Sequence, residues 1–253
     1  MNEITLPSLP LTNAARCSTL IQSLSTATRK GLPALGAFYG PSGVGKTEAA
    51  LMSAMAIPSV TYMRLTAAMT PRDFLRSLAD TLGYGYPKQV TANDLLKLIC
   101  AQLAMSEQML ILDEAEYALP RSRRGVGYLA TIRDLHDLSR RPVLLLGKED
   151  LGPNLAQFEE QFDNRIIKYE LAVACSLEDA RQIAAQIAGD TEITDEWLEA
   201  MLSATDGCTR RVAVALMNAK EEADRLGNAK IDASTHPADK IFNGRPPMSR
   251  RAA

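Results

Sequence analysis

The sequence predicts an α/β domain built on a five-stranded parallel sheet, followed by a small all-helical domain. Short apolar segments alternate with longer segments of helical periodicity up to residue 172, as in a parallel sheet that helices cover on both faces. Strand-like segments then stop, and three helical segments follow. We therefore expect an N-terminal helix and linker over 1–30, an α/β core over 31–172, a helical domain over 173–227 and a flexible basic tail over 228–253.

The individual elements have local signals in the sequence. Thr12 or Asn13 can cap the first helix, which Gly31 and Pro33 end, and Pro71 suits the first position of a later helix. Apolar runs bounded by turn residues indicate buried strands, expected over 34–39, 59–64, 108–112, 142–146 and 166–171. Helices are expected over 12–29, 46–56, 71–82, 93–105, 126–138, 176–188, 194–204 and 208–226, with a helix or turn over 154–162.

Composition excludes several classes of protein. The 253 residues are 46% hydrophobic and 23% charged, and no apolar run approaches the roughly 20 residues that cross a bilayer, so we expect no membrane association. Four cysteines without CxxC spacing and only two histidines predict neither a disulfide framework nor a metal centre built on these residues. The amino terminus lacks the pattern of a signal peptide, which favours a cytoplasmic protein.

Residues 40–47 read GPSGVGKT and match the pattern GxxxxGK[ST]. The glycines let the backbone approach a phosphate closely, with its N–H groups and the next helix N-terminus directed at the anion. A predicted strand precedes the segment and a predicted helix follows it, as this motif requires. We expect Lys46 to contact the β- and γ-phosphates of ATP and Thr47 to ligate Mg²⁺. The nucleotide-binding residues are then Gly40, Pro41, Ser42, Gly43, Val44, Gly45, Lys46 and Thr47.

A second acidic motif follows about 65 residues later. The apolar strand that begins at Met109 ends in Asp113 and Glu114. Asp113 is expected to hold the Mg²⁺ shell with Thr47, and Glu114 to orient and deprotonate an attacking water. Adjacent Asp and Glu favour water over a small molecule as the phosphoryl acceptor, so we predict an Mg²⁺-dependent ATPase rather than a kinase.

These motifs together resemble those of AAA+ ATPases. More narrowly, YGPSGVGKTEAA, MLILDEAEYAL, RPVLLLGKED and FDNRI resemble the transposition ATPases that include the phage Mu B protein and the TnsC and TniB group. A GxxR motif at Gly207 to Arg210 adds to the similarity, which covers roughly residues 30–225. The resemblance implies a P-loop AAA+ domain with a C-terminal helical lid, in a bacterial host cell or associated with its nucleoid.

The resemblance also implies roles for three residues beyond the two motifs. Lys148 stands at the sensor 1 position, usually Asn, Thr or Ser, and either contacts the γ-phosphate or points to solvent. If Lys148 does not position the water, hydrolysis is slow. Arg165 matches the arginine finger that completes a neighbouring subunit's site, although a surface arginine before a strand is the alternative. Arg210 matches sensor 2, which reads the γ-phosphate, with Arg211 as the fallback.

Charge is unevenly distributed although the net charge is only −2. Six arginines and two aspartates lie between residues 121 and 141, whereas one arginine and seven acidic residues lie between 176 and 199. Arg121, Arg123 and Arg124 occupy a segment that faces the central channel in AAA+ assemblies, where arginines can track DNA phosphates without reading sequence. The alternatives are a solvated cluster or pairing with the acidic lid of a neighbour.

The resemblance implies an ATP-dependent ATPase that oligomerises on duplex DNA as a ring or helical filament, without sequence specificity. It would direct or activate a DDE-type transposase at target DNA. Fewer than 40 residues precede the phosphate-binding loop, so we expect the ATPase body itself to contact DNA. Two alternatives remain: a loader, motor or secretion-type ATPase acting on a protein partner without DNA binding, and a nucleotide-gated interaction module with negligible turnover.

Overall fold

The structure is a computed structural model that describes residues 9–119, 128–158 and 160–244. The chain divides into two compact units. The sheet unit contains the described residues of 13–41 and 46–172, and the helical unit contains the described residues of 1–12, 42–45 and 173–253.

The sheet unit is built on five parallel strands in the order β2-β3-β4-β1-β5, which confirms the predicted fold class. The strands are β1 (Leu35–Tyr39), β2 (Val60–Arg64), β3 (Met109–Asp113), β4 (Val143–Gly147) and β5 (Ile166–Leu171). The helices are α1 (Thr12–Arg29), α2 (Lys46–Ala56), α3 (Pro71–Thr81), α4 (Ala92–Ser106), α5 (Leu129–Ser139), α6 (Leu151–Phe158) and α7 (Glu160–Asp163), with a 3₁₀ helix at Ala115–Ala118.

Local sequence explains why these elements form and which faces they bury. Every residue of β3 and β4 is buried, as expected for central strands of a sheet that is covered on both faces. Helix α3 starts with a capping box in which Thr70 and Asp73 exchange hydrogen bonds. Its apolar face includes Phe74, which stacks on Tyr128 with ring centroids 5.1 Å apart. The sheet therefore has a continuous apolar core that fixes the carboxyl ends of its strands.

Two predicted elements of the sheet unit differ from the structure. Helix α5 begins at Leu129 rather than at residue 126, and residues 120–127 lie outside the described residues. The predicted segment 154–162 is helical on both sides of residue 159, which lies outside the described residues, and its first helical stretch begins three residues earlier than expected, at Leu151. A proline in the first turn of a helix is tolerated because its missing N–H would have no partner there, so Pro153 does not delay the start of α6.

The helical unit contains α8 (Leu177–Ala188), α9 (Asp195–Ala204) and α10 (Thr209–Leu226). Trp197, Met201 and Leu216 are buried in its core. The unit is not entirely helical, because the two-residue strands β6 (Glu192–Ile193) and β7 (Lys230–Ile231) pair in parallel. No helix among the described residues combines the length and the apolar character that a membrane span requires.

The chain does not become a flexible tail at residue 228 as composition suggests. Ile231 and Ile241 are buried in the core of the helical unit, and Trp197 Nε1 donates a hydrogen bond to His236 O at 2.8 Å. Two isoleucines ten residues apart anchor the segment, but they are too sparse to alter the polar composition that predicts disorder. Residues after 244 lie outside the described residues.

Candidate nucleotide-binding site

The glycine-rich segment joins the end of β1 to the start of α2 at Lys46. Gly43 and Gly45 have φ values of +84° and +89°, which side chains larger than hydrogen rarely adopt. A Cβ atom on Gly43 would also lie 2.6 Å from Cys208 Sγ within the helical unit. Glycine is therefore required at these positions for the loop to keep its shape.

Lys46 and Thr47 occupy the first turn of α2. Lys46 Nζ donates hydrogen bonds to Gly40 O at 2.8 Å and Pro41 O at 2.6 Å. Burial lowers the pKa of Lys46, and the nearby carboxylates, Asp113 and Glu116 foremost, oppose that effect. Phosphate oxygens are stronger acceptors than these two carbonyls, so the ammonium is placed to exchange them for a nucleotide.

Asp113 is the point where the two motifs meet. Its side chain is buried, and Oδ2 accepts hydrogen bonds from Thr47 Oγ1 at 2.7 Å and Tyr62 Oη at 2.9 Å. Oδ1 accepts from the Glu114 N–H at 2.8 Å. Burial and the contact with Asp113 raise the pKa of Tyr62, which keeps the phenol a neutral donor. The structure thus brings together the hydroxyl and the carboxylate that sequence analysis assigns to one site.

This pair of oxygen donors fits Mg²⁺, which is commonly held by one or two protein oxygens together with substrate phosphates and water. Among the described residues, no group of three or more His, Cys, Asp or Glu side chains is arranged to hold a metal ion. Thr47 and Asp113 would therefore supply the protein ligands, and the rest of the coordination shell would come from a nucleotide and water.

Glu114 has a left-handed backbone conformation, with φ of +57°. Such strain in a residue other than glycine is uncommon and concentrates at functional sites. Its Oε1 atom accepts a hydrogen bond from Arg64 Nη2 at 3.0 Å, across neighbouring strands in which Arg64 is in register with Asp113. The expected catalytic base is therefore held in an ion pair.

Sequence analysis gave no role at this site to Tyr62, Arg64 or Glu116. Tyr62 and Arg64 lie two residues apart on β2, so their side chains lie on the same face of the sheet. Only the pairing of β2 with β3 brings them to the acidic motif. Two polar residues spaced two apart at the end of a predicted strand were the available signal. The sequence does not give the strand order that makes this signal meaningful.

Lys148 lies directly after β4 and does not simply point to solvent. Its Nζ atom lies 3.1 Å from Glu116 Oε1 and 5.8 Å from the centre of the Tyr117 ring. Contact with Glu116 raises the pKa of Lys148, so the side chain is a persistent cation. Because the Gly40 N–H donates to Gly147 O at 3.3 Å, this end of β4 adjoins the start of the glycine-rich loop.

Arg165 lies at the opposite edge of the sheet from the glycine-rich loop. It directly precedes β5, whereas the loop follows β1, which is parallel to β5 and neighbours it. A five-residue strand spans about 17 Å, so Arg165 is remote from the phosphate site of its own chain. Arg165 Nε donates hydrogen bonds to Asp137 Oδ1 at 2.7 Å and Oδ2 at 2.9 Å, and this contact raises the pKa of the guanidinium.

Arg210 is the second residue of α10. Its N–H donates to Gly43 O at 3.0 Å within the helical unit, and its side chain is exposed. The same unit contains Ser42 and Val44 of the glycine-rich segment. The role of Arg210 as a phosphate sensor stays a prediction. Arg121, Arg123 and Arg124 lie outside the described residues.

Solved structures with the same fold include three archaeal proteins. The Aeropyrum pernix ORC2 protein, in ADPNP–ADP complexes, aligns with a TM-score of 0.72 at 21% identity over 95% of this chain and 70% of that one. Cdc6p from Pyrobaculum aerophilum gives 0.69 at 15% identity over 96% and 71%. The Aeropyrum pernix ORC1 protein in complex with DNA gives 0.60 at 17% identity over 92% and 66%. At these identities the similarity shows the fold alone.

Family membership is shown by a match to a family model. No curated protein sequence matches the chain at a significant level. The model for the AAA domain matches residues 29–155, half of the chain, and this range contains both the glycine-rich loop and the acidic motif. The chain therefore belongs to the AAA domain family.

Proposed function

We propose that the chain is an Mg²⁺-dependent ATPase that assembles on duplex DNA in its ATP-bound state and directs a DDE-type transposase to target DNA. The observation that carries the ATPase assignment is the 2.7 Å hydrogen bond between Thr47 and Asp113, which joins the two motifs at one point. The AAA domain match and the nucleotide complexes of the similar ORC2 structure support it. Resemblance to the Mu B, TnsC and TniB proteins supports the transposition role.

The roles of the residues follow from their placement. Lys46 would bind the β- and γ-phosphates of ATP, while Thr47 and Asp113 would hold Mg²⁺. When bound, Mg²⁺ neutralises charge on the phosphate oxygens. Glu114 would accept a proton from a water whose oxygen bonds to the γ-phosphorus, while the bond from that phosphorus to the ADP oxygen breaks.

Two ion pairs support slow basal turnover. Glu114 must exchange Arg64 for a water molecule before it can act as a base. Lys148, paired with Glu116, occupies the position at which the resemblance implies a neutral polar side chain. The Arg64 contact therefore has to separate before hydrolysis, and Lys148 replaces the neutral side chain that would position the water. A partner such as DNA, a second subunit or the transposase would then accelerate the reaction.

Arg165 supports assembly into a ring or filament, because its place at the far edge of the sheet suits it to a neighbour's site. We expect Arg165→Ala to lower ATP turnover by at least about 100-fold, since arginine fingers supply large transition-state stabilisation. Mixing this variant with Lys46→Ala subunits, in which ATP binding is expected to be strongly weakened but Arg165 is retained, should restore turnover. The measurement is steady-state phosphate release at several protein concentrations.

A control for loss of an ion pair is Arg181→Ala, which removes a contact of 2.8 Å to Asp195 on the exposed surface of the helical unit. This variant should keep the turnover of the unaltered protein. If Arg165→Ala hydrolyses ATP at the unaltered rate, or if the mixture remains inactive while each variant is folded, Arg165 does not act in a neighbouring site.

DNA binding rests on the predicted channel segment with Arg121, Arg123 and Arg124, and the similar ORC1 structure is a complex with DNA. The test is fluorescence anisotropy of a random-sequence duplex titrated with protein in ADP, ATP or a non-hydrolysable ATP analogue, at two salt concentrations. We expect tight, salt-sensitive binding with the triphosphates only, because phosphate contacts release counterions. Changing the three arginines to alanine should weaken it.

Two results would contradict this proposal. Absence of DNA binding in every nucleotide state would overturn it and favour an ATPase that acts on a protein partner. Binding that survives the triple alanine change would remove the channel assignment while leaving ATP-gated binding intact. Stimulation of a DDE-type transposase on protein-coated DNA would be the next measurement, since it separates the transposition role from other DNA-dependent roles.

A further inference from the structure

Glu116 is a buried carboxylate close to the phosphate site. Its side chain is 12% exposed, both of its oxygens are buried, and neither has a hydrogen-bond partner among the described residues. Lys148 Nζ lies 3.1 Å from Oε1, which is within ion-pair distance. A buried carboxylate without a cation is unfavourable, so Lys148 is the group that makes this placement tolerable.

The position of Glu116 relates it directly to the glycine-rich loop. A Cβ atom on Gly147 would lie 2.7 Å from Glu116 Oε2, so glycine at the end of β4 leaves the space that the carboxylate occupies. Gly147 O in turn accepts the Gly40 N–H. Glu116 is also close enough to Lys46 to oppose the lowering of its pKa by burial, second only to Asp113 among the carboxylates. The Glu116–Lys148 pair therefore lies beside the expected phosphates.

The two members of this pair differ in mobility. Lys148 is 54% exposed and carries its charge on a long chain with many rotamers, so by itself it would occupy no fixed position. Glu116 lies in the 3₁₀ helix directly after the acidic motif, and its carboxylate is enclosed. The enclosed partner fixes the position of the exposed one, which is the requirement for a group that acts on a transition state.

We propose that Glu116 is a positioning residue that holds Lys148 at the end of β4, where the ammonium contacts the γ-phosphate of bound ATP. The inference rests on the proposed ATPase function. An ammonium has three N–H donors, so Lys148 can contact Glu116 and a phosphate oxygen together. Because the pair has no net charge, the Glu116 carboxylate does not repel the triphosphate while Lys148 is present.

The test is a double-mutant cycle on kcat and on KM for ATP. Glu116→Gln keeps the shape of the side chain and should lower kcat about tenfold without raising KM, because Lys148 loses its fixed position but no negative charge is left behind. Lys148→Met should lower kcat to a similar extent and also raise KM severalfold, because Glu116 then faces the triphosphate unpaired. The double variant should match Lys148→Met in kcat and have a lower KM.

This pattern separates positioning from a structural role. If Glu116 only stabilises the fold, its effect on kcat will be independent of Lys148, and the double variant will lose about 100-fold. Such additivity overturns the inference. The inference is also overturned if the double variant has the same KM for ATP as Lys148→Met alone. Thermal unfolding is measured for each variant, and if Glu116→Gln does not fold, the cycle is repeated with Glu116→Asp, which keeps the charge.

A matched pair elsewhere in the sheet provides the control. Lys168 and Glu170 on β5 are also 3.1 Å apart, with side chains 40% and 15% exposed, and Glu170 in addition accepts a hydrogen bond from Arg16. Lys168→Met and Glu170→Gln should lower the unfolding temperature but leave kcat unchanged. Failure of the ATPase proposal would be recognised separately, since the unaltered protein would then hydrolyse no ATP. Turnover by the unaltered protein with an additive cycle would overturn only the role of Glu116.

Discussion

Lys46→Ala is expected to weaken ATP binding by at least about 100-fold, the loss that follows from removing a charge-assisted contact of roughly 3 kcal/mol. The ammonium donates hydrogen bonds to Gly40 O and Pro41 O, in the first two residues of the glycine-rich loop. Alanine cannot make the contact with the β- and γ-phosphates that we propose for Lys46. The measurement is titration with a fluorescent ATP analogue in the presence of Mg²⁺.

The same substitution, Lys46→Ala, should not lower the stability of the nucleotide-free protein. Burial lowers the pKa of Lys46, which means that the folded state holds this cation less favourably than the unfolded chain does. Alanine removes that penalty, so the unfolding temperature without nucleotide should stay the same or rise. Unchanged ATP affinity in a folded Lys46→Ala protein would contradict the assignment of the glycine-rich loop. Lys97→Ala, on helix α4, tests for a general effect of lysine removal.

Glu114→Gln is expected to reduce ATP turnover by about 100- to 1,000-fold while ATP binding is retained. A carboxamide has the shape of the carboxylate but cannot accept the proton of the attacking water. Single-turnover phosphate release and analogue binding, measured on the same preparation, separate the two effects. Turnover at the rate of the unaltered protein would favour a nucleotide-gated interaction module, because Glu114 would then have no role in activating water.

Arg64→Ala distinguishes loss of the base from loss of its ion pair. Both substitutions remove the ion pair between Arg64 and Glu114, whose charged atoms lie 3.0 Å apart, but only Glu114→Gln removes the carboxylate. Release of Glu114 from Arg64 should leave turnover equal or increase it, since the base no longer has to exchange a partner. A large loss in Arg64→Ala would instead mean that the guanidinium itself contacts substrate.

Much of the site could be predicted because its signals are local in the chain. The glycine-rich segment combines left-handed glycines, a strand before and a helix after within one continuous stretch, and α2 begins at Lys46 as expected. The apolar run ending at Asp113 and Glu114 is likewise a single strand with its functional residues at one end. Carboxyl ends of parallel strands lie at one edge of a sheet, so the meeting of Thr47 with Asp113 followed from the fold class.

Contacts between residues distant in the sequence could not be predicted in this way. The sequence places Arg64 at the end of a predicted strand but does not show which strand lies beside it. Likewise, the polar segment 230–241 has the composition of a tail although Ile231 and Ile241 are buried. Composition and periodicity average over neighbours in the chain, whereas burial depends on which elements pack together. The resemblance to transposition ATPases also stays a prediction, because the similar solved structures support only the shared fold.

The sequence by itself therefore determined the α/β class, the glycine-rich loop and the acidic motif, because each depends on side chains and backbone preferences within short segments of the chain. Only the tertiary structure decided what surrounds the two acids. The strand order β2-β3-β4-β1-β5 places Tyr62 and Arg64 on one side of Asp113 and Glu114, and the end of β4 brings Lys148 to Glu116. These pairings join residues about 30 to 50 positions apart, and they arise because burial of the apolar strand faces selects one packing of the sheet.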